Sequence, residues 1–128
     1  MTKVIVPGVL VLAGLLGAFW WMDDEGVPNN SPPRPTLTKE VVVAMTKDGF
    51  MPNKVTIHYG DTVKFVNEDT QDRWPASNIH PTHAIYPEFD PKSSIKPGGT
   101  WFFTFTKAGI WRYHDHLLPS LIGTVVAE

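Results

Sequence analysis

The chain has 128 residues, with 11 basic and 13 acidic side chains and a formal charge of −2 at pH 7. That length holds one domain and an appendage, and the even charge without a basic stripe argues against nucleic acid as a partner. Cysteine is absent, which removes disulfides, thiolate ligands and thiol nucleophiles together.

Residues 4–22 (VIVPGVLVLAGLLGAFWWM) carry no charge over 19 positions, close to the ~20 apolar residues a spanning helix needs. Lys3 precedes the run and Asp23, Asp24 and Glu25 follow it, an asymmetry that keeps the N-terminus inside. Trp20 and Trp21 fall where an interfacial aromatic belt would. We expect residues 1–25 to be an uncleaved signal anchor, a transmembrane helix; a cleaved signal peptide is the alternative. Either way the remainder is exported, so a membrane-anchored, extracytoplasmic (periplasmic or cell-surface) location is expected. Residues 26–36 (GVPNNSPPRPT) hold four prolines and read as a semi-rigid linker.

From Leu37 the apolar pattern switches to period two. Residues 40–45, 54–58, 62–67, 100–106, 110–116 and 123–127 read as strands, separated by turn signals such as Tyr59-Gly60-Asp61, Pro97-Gly98-Gly99 and Lys107-Ala108-Gly109. Short strands at this spacing, rich in the aromatic residues that suit a β core, predict an all-β antiparallel sandwich over residues 37–128. Residues 68–99 stand out as a long irregular excursion, and long loops in compact domains are usually functional or disordered. Trp74, Tyr86 and Phe89 within it argue for packing.

Four of the five histidines fall in two clusters, His80-Pro81-Thr82-His83 and His114-Asp115-His116. Neutral imidazole is the commonest metal ligand at physiological pH. Residues i and i+2 of a strand share a face about 6.5–7 Å apart, so His114 and His116 point together. A tight turn through Pro81 presents His80 and His83. The expected site is a metal ion held by His80, His83, His114 and His116, or by three of them with a position open to water. His58 reads as solvent-facing in its strand and receives no role.

The residues beside the clusters have several readings. Asp115 is a carboxylate that orients a ligand imidazole, a direct ligand, which strand alternation opposes, or a buried structural carboxylate near Arg73 or Arg112. The first and third are favoured together, because inward carboxylates are rarely left unpaired. Trp74 and Tyr86 flank the first cluster, as loop packing or as a hydrophobic shell limiting solvent access to the metal.

The runs VTIHYGDTVKFVNED (55–69), IKPGGTWFFTFTKAGIWRYH (95–114) and PSLIGTVV (119–126) resemble the cupredoxin family, of which plastocyanin- and azurin-like single domains are members. The resemblance covers about residues 37–128 and implies a Greek-key β-sandwich with copper ligands in loops at one end. It also exposes a departure. A blue-copper member would carry Cys, His and Met after Tyr113; here Asp115, Leu118 and Leu121 occupy that stretch. The trigonal His2Cys site on which blue-copper electron transfer depends is therefore not implied. The clusters resemble instead the H-P-x-H-x-H and H-C-H segments of multicopper oxidase domains, with Ile85 at the last histidine of the first and Asp115 at the centre of the second.

All-imidazole sites suit copper, zinc, nickel or iron, and the Irving–Williams order places Cu(II) highest. Copper is thus the expected cofactor, with zinc the alternative. Three functions are carried forward. The first is an extracytoplasmic copper-binding protein with an all-histidine non-blue site, for copper handling or slow electron transfer, partnered by the membrane and by a redox or copper-transfer protein. The second is a copper enzyme, superoxide dismutase- or oxidase-like, which needs an open coordination position. The third is a metal-free structural module.

Overall fold

The computed structural model describes residues 38–128. The expected N-terminal helix (1–25) and the linker (26–36) lie outside the described residues. Among the described residues there is no helix long and apolar enough to cross a membrane.

Eight strands run in chain order: β1 (Glu40–Thr46), β2 (Gly49–Met51), β3 (Lys54–Ile57), β4 (Thr62–Asn67), β5 (Pro75–Ser77), β6 (Thr100–Thr104), β7 (Gly109–Asp115) and β8 (Leu118–Ala127). They form two four-stranded sheets, ordered β2-β1-β4-β6 and β3-β8-β7-β5. The pairing is not wholly antiparallel as the sequence suggests. β1 runs parallel to β4, Val43 opposite Phe65, and β3 runs parallel to β8, Val55 opposite Val125. The physical reason is the path between the sheets. The chain leaves the first sheet for β3 and re-enters it as β4, so each parallel neighbour is reached by a crossover rather than a hairpin.

The alternation that predicts strands also builds the core. Val43 and Met45 of β1, Val63 and Phe65 of β4, and Val125 and Ala127 of β8 face inward, none more than 3% exposed. Phe65 sits at the centre, its ring centroid 5.7 Å from Phe89, 5.6 Å from Trp101 and 5.6 Å from Tyr113. Phe89 belongs to the excursion, and so do the buried Tyr86 and Ile95. Buried apolar surface stabilises by about 25 cal/mol per Å², so the long loop is held as part of the core rather than draped over it. Polar bonds fix its two ends. Asn67, itself buried, donates to the Gln71 and Ile95 carbonyls (2.8 Å each) and accepts the Asp69 N–H (2.9 Å). Arg73 and Ile95 exchange both backbone bonds (3.0 and 2.7 Å).

Two short strands escape the sequence reading. β2 follows β1 after a turn, and β5 lies inside the excursion, paired with the end of β7: Ala76 opposite His114, Pro75 opposite Asp115. β5 thereby carries the excursion against the strand that bears the second histidine cluster. Opposite, Tyr113 of β7 pairs with Gly123 of β8. Its ring covers the glycine so closely that a Cβ there would lie 2.2 Å from Cζ and 2.4 Å from the hydroxyl oxygen. Burial raises the pKa of this phenol well above its ordinary value, and among the described residues its hydroxyl has no hydrogen-bond partner.

Candidate metal centre

The two clusters meet. One ring nitrogen from each of His80, His83, His114 and His116 lies within 4.8 Å of every other. His114 is the penultimate residue of β7. His116 follows the strand end, where its backbone N–H donates to the Trp74 carbonyl (2.7 Å). A register shift between His114 and Asp115 turns the chain so that both rings face the same space, with centroids 6.2 Å apart. The other pair comes from a turn closed by the His83 N–H on the Ile79 carbonyl (2.6 Å) and by the Ile85 N–H on the Asn78 carbonyl (2.8 Å). His83 has φ +56°, a left-handed conformation that costs a side-chain-bearing residue about 1–2 kcal/mol. Such conformations cluster at functional sites.

Two contacts define the interior of the set. His83 Nε2 lies 2.9 Å from His116 Nδ1, and His80 Nδ1 lies 3.3 Å from His114 Nε2. Nitrogens sharing one ion at about 2.0–2.1 Å stand roughly 2.9 Å apart in a square set and roughly 3.4 Å apart in a tetrahedral one. The observed pairs fall in that range.

The outer nitrogens explain why the inner ones are free. Asp90 accepts from His83 Nδ1 (2.7 Å), and Asn78 Oδ1 accepts from His114 Nδ1 (2.9 Å). Partners of this kind fix the tautomer, leaving Nε2 of both rings as lone pairs aimed inward. The assignment follows from the partners. Asp90 is held in turn by the Trp74 indole N–H (2.8 Å), the Lys92 backbone N–H (2.8 Å) and the Lys92 ammonium (3.0 Å). Burial by itself would raise the Asp90 pKa, but these donors outweigh it and hold the carboxyl well below the usual range. Burial, reinforced by the nearby His83, His80 and His116 rings, pushes His114 down to about 4. Burial and the neighbouring rings lower His116 as well. Both rings are therefore neutral near pH 7, the state that metal coordination requires.

The flanking residues distribute differently from expectation. Trp74 stands at the site, its ring centroid 4.7 Å from His116 and its indole on Asp90. Tyr86 does not. It turns into the core against Phe103, Phe105 and Trp111, and its hydroxyl meets Thr106 (3.2 Å). Its expected place in a shell around the metal is corrected to core packing, because the apolar interior offers the ring more burial than the loop rim. Asp115 is also corrected in part. Among the described residues it hydrogen-bonds to no imidazole; it accepts from Arg73 (3.1 Å), the Trp74 N–H (3.2 Å) and the Leu117 N–H (2.9 Å). Arg73 also bonds Asp69, so a buried Asp69–Arg73–Asp115 triad underlies the histidines on the opposite face of β7. Of the alternatives, the structural carboxylate near Arg73 is the one observed. His58 is exposed, 3.8 Å from Asp61.

The supports of the ligands, Asn78 and Asp90, escape sequence reasoning. Each is an ordinary polar loop residue, and only the folded excursion reveals what it touches.

No family model matches the chain, and neither does any curated protein. Solved structures do match. A reduced amicyanin variant is 26% identical over 70% of this chain and 82% of its own, with a TM-score of 0.61. A Cu(I) form of another amicyanin variant is 26% identical over the same shares, with a TM-score of 0.60. A purple cupredoxin from Nitrosopumilus maritimus is 18% identical over 69% of this chain and 99% of its own, with a TM-score of 0.61.

The chain has the cupredoxin fold.

The sandwich carries no cysteine, and four histidines converge at one end of it. The donor set fits a divalent ion. Four imidazole nitrogens face one space, two pairs of them 2.9 and 3.3 Å apart, and the Asp90 carboxylate behind His83 offsets the added positive charge.

Proposed function

We propose that this protein of cupredoxin fold is a membrane-tethered, extracytoplasmic copper protein that holds Cu(II) in a non-blue centre made by His80, His83, His114 and His116. Its task is copper handling or slow electron transfer to a redox or copper-transfer protein. The observation that carries the reading is the pair of anchored imidazoles, His83 on Asp90 and His114 on Asn78, each with its free nitrogen directed at the other cluster. Burial and orientation of both rings are what a metal centre asks of its ligands.

Copper is preferred over zinc because an all-nitrogen set follows the Irving–Williams order, which favours Cu(II). The solved Cu(I) amicyanin variant shows copper in a related sandwich. Thiolates, which favour Cu(I), are absent from this chain. Bound copper would supply a one-electron couple. The protein supplies the rest. Asp90 and Asn78 fix ring orientation, Trp74 covers the His116 side, and the Asp69–Arg73–Asp115 triad ties the end of β7 to the excursion. The charge-free run 4–22 and the Pro-rich stretch after it support the tether and the extracytoplasmic setting.

The test is electron paramagnetic resonance of the full-length, tag-free protein loaded with copper in detergent. A type-2 signal with hyperfine splitting from three or four nitrogens is expected, together with its loss in a His114→Ala/His116→Ala double variant. Copper that binds the double variant as tightly as the parent would refute the assignment.

A further inference from the structure

The four ligands are not held alike. His83 is 5% exposed and His114 is 2% exposed, and each has a second hold through its outer nitrogen. His116 is half-buried, with its ring on Trp74 and its backbone N–H on the Trp74 carbonyl. His80 is exposed, and its neighbours Ile79, Pro81 and Thr82 are exposed with it. Among the described residues neither its backbone N–H nor its outer ring nitrogen has a hydrogen-bond partner. Its single polar contact is Nδ1 on His114 Nε2, at 3.3 Å.

The energetic consequence is a ranking. Withdrawing His83 breaks a hydrogen bond to a buried carboxylate, a charge-assisted type that contributes about 1.5–3 kcal/mol, and takes one of the donors from Asp90. Withdrawing His114 takes a buried ring out of its place and removes the donor from the half-buried Asn78 side-chain oxygen. Withdrawing His80 gives up one long contact and moves a ring that is already in water.

We infer that His80 is the exchangeable ligand, the latch through which metal enters and leaves, and that the position it vacates accepts one external nitrogen donor such as the imidazole of an acceptor protein. This rests on the copper reading above. His83, His114 and His116 form the fixed half of the centre. Transfer then proceeds by substitution: one incoming nitrogen takes the place of His80, with no change in the charge of the donor set and no oxidant or reductant required. The exposed run 79–82 gives the incoming donor its approach.

The experiment uses full-length protein, Cu(II), imidazole as the external donor and a competing chelator. His80→Ala lies at an exposed position and should fold as the parent does, which circular dichroism checks. It should keep Cu(II) with a Kd raised by no more than about tenfold, release it to the chelator at least about tenfold faster, and regain the parent's paramagnetic spectrum in millimolar imidazole. His83→Ala should lose about 100-fold or more in affinity and should not recover with imidazole. If His80→Ala binds copper as weakly as His83→Ala, or if imidazole leaves its spectrum unchanged, the latch is overturned while the copper centre stands. If the parent chain binds no copper, both fall together.

Discussion

Acidification of the metal-free protein offers a direct check on the electrostatics of the site. In the folded chain His114 is pushed from its ordinary value near 6.5 down to about 4, first by burial and then by the His83, His80 and His116 rings. The unfolded chain recovers the ordinary value, so between these pH values the unfolded state binds more protons than the folded one. A group with a depressed folded pKa stabilises fully above its unfolded value and loses that contribution as pH falls towards the folded one. At about 1.4 kcal/mol per pH unit, the loss between pH 6.5 and pH 4 amounts to about 3 kcal/mol. That is a large share of the 5–15 kcal/mol typical of a domain. His116 shifts in the same direction and adds to the slope. The lowered carboxylates, Asp61, Asp69, Asp72, Glu88 and Asp90, act only as pH approaches the ordinary carboxylate range of the unfolded chain, near 4, so the window from pH 6.5 to about 4.5 belongs to the histidines. Urea unfolding of chelator-treated protein, followed by tryptophan fluorescence at half-unit steps from pH 7.5 to pH 4.5, reads the slope. It should be steep in the parent and shallower in His114→Gln. A midpoint that is flat over this range, or a slope unchanged in the variant, would refute the claim that a neutral buried imidazole lies at the centre of the site.

Other perturbations test the scaffold. Asp90→Ala removes the acceptor 2.7 Å from His83 Nδ1; copper affinity should fall about 10–100-fold by competition titration, and an unchanged affinity would remove Asp90 from the site. Gly123→Ala drives a methyl against the Tyr113 ring; overpacking of this kind costs about 1–3 kcal/mol, measured as a lowered urea midpoint. Asp115→Ala leaves the buried Arg73 guanidinium short of a partner; destabilisation of about 3–5 kcal/mol is expected, and a melting temperature equal to the parent's would contradict the triad. Phe89→Ala empties a fully buried site between the two sheets; a loss of about 3–5 kcal/mol by chemical unfolding is expected, and a negligible loss would mean the excursion is not part of the core.

Much of this protein was already written in residue order. Period-two alternation in 40–45, 54–58 and 62–67 specifies strands because successive side chains must point to opposite faces, and one face of each strand had to be buried. The absence of cysteine excluded a thiolate centre outright, and the spacing of His80, His83, His114 and His116 was enough to nominate a ligand set. What the chain order leaves open is anything decided by contacts between distant segments. The parallel pairings of β1 with β4 and β3 with β8 depend on crossovers between sheets. β5 is three residues long and becomes a strand only because β7 lies beside it. Asp115, Tyr86, Asn78 and Asp90 carry no local mark of their roles. Whether a carboxylate meets an imidazole or a guanidinium is fixed by which neighbour packing places within about 3 Å, and that choice belongs to the tertiary structure alone.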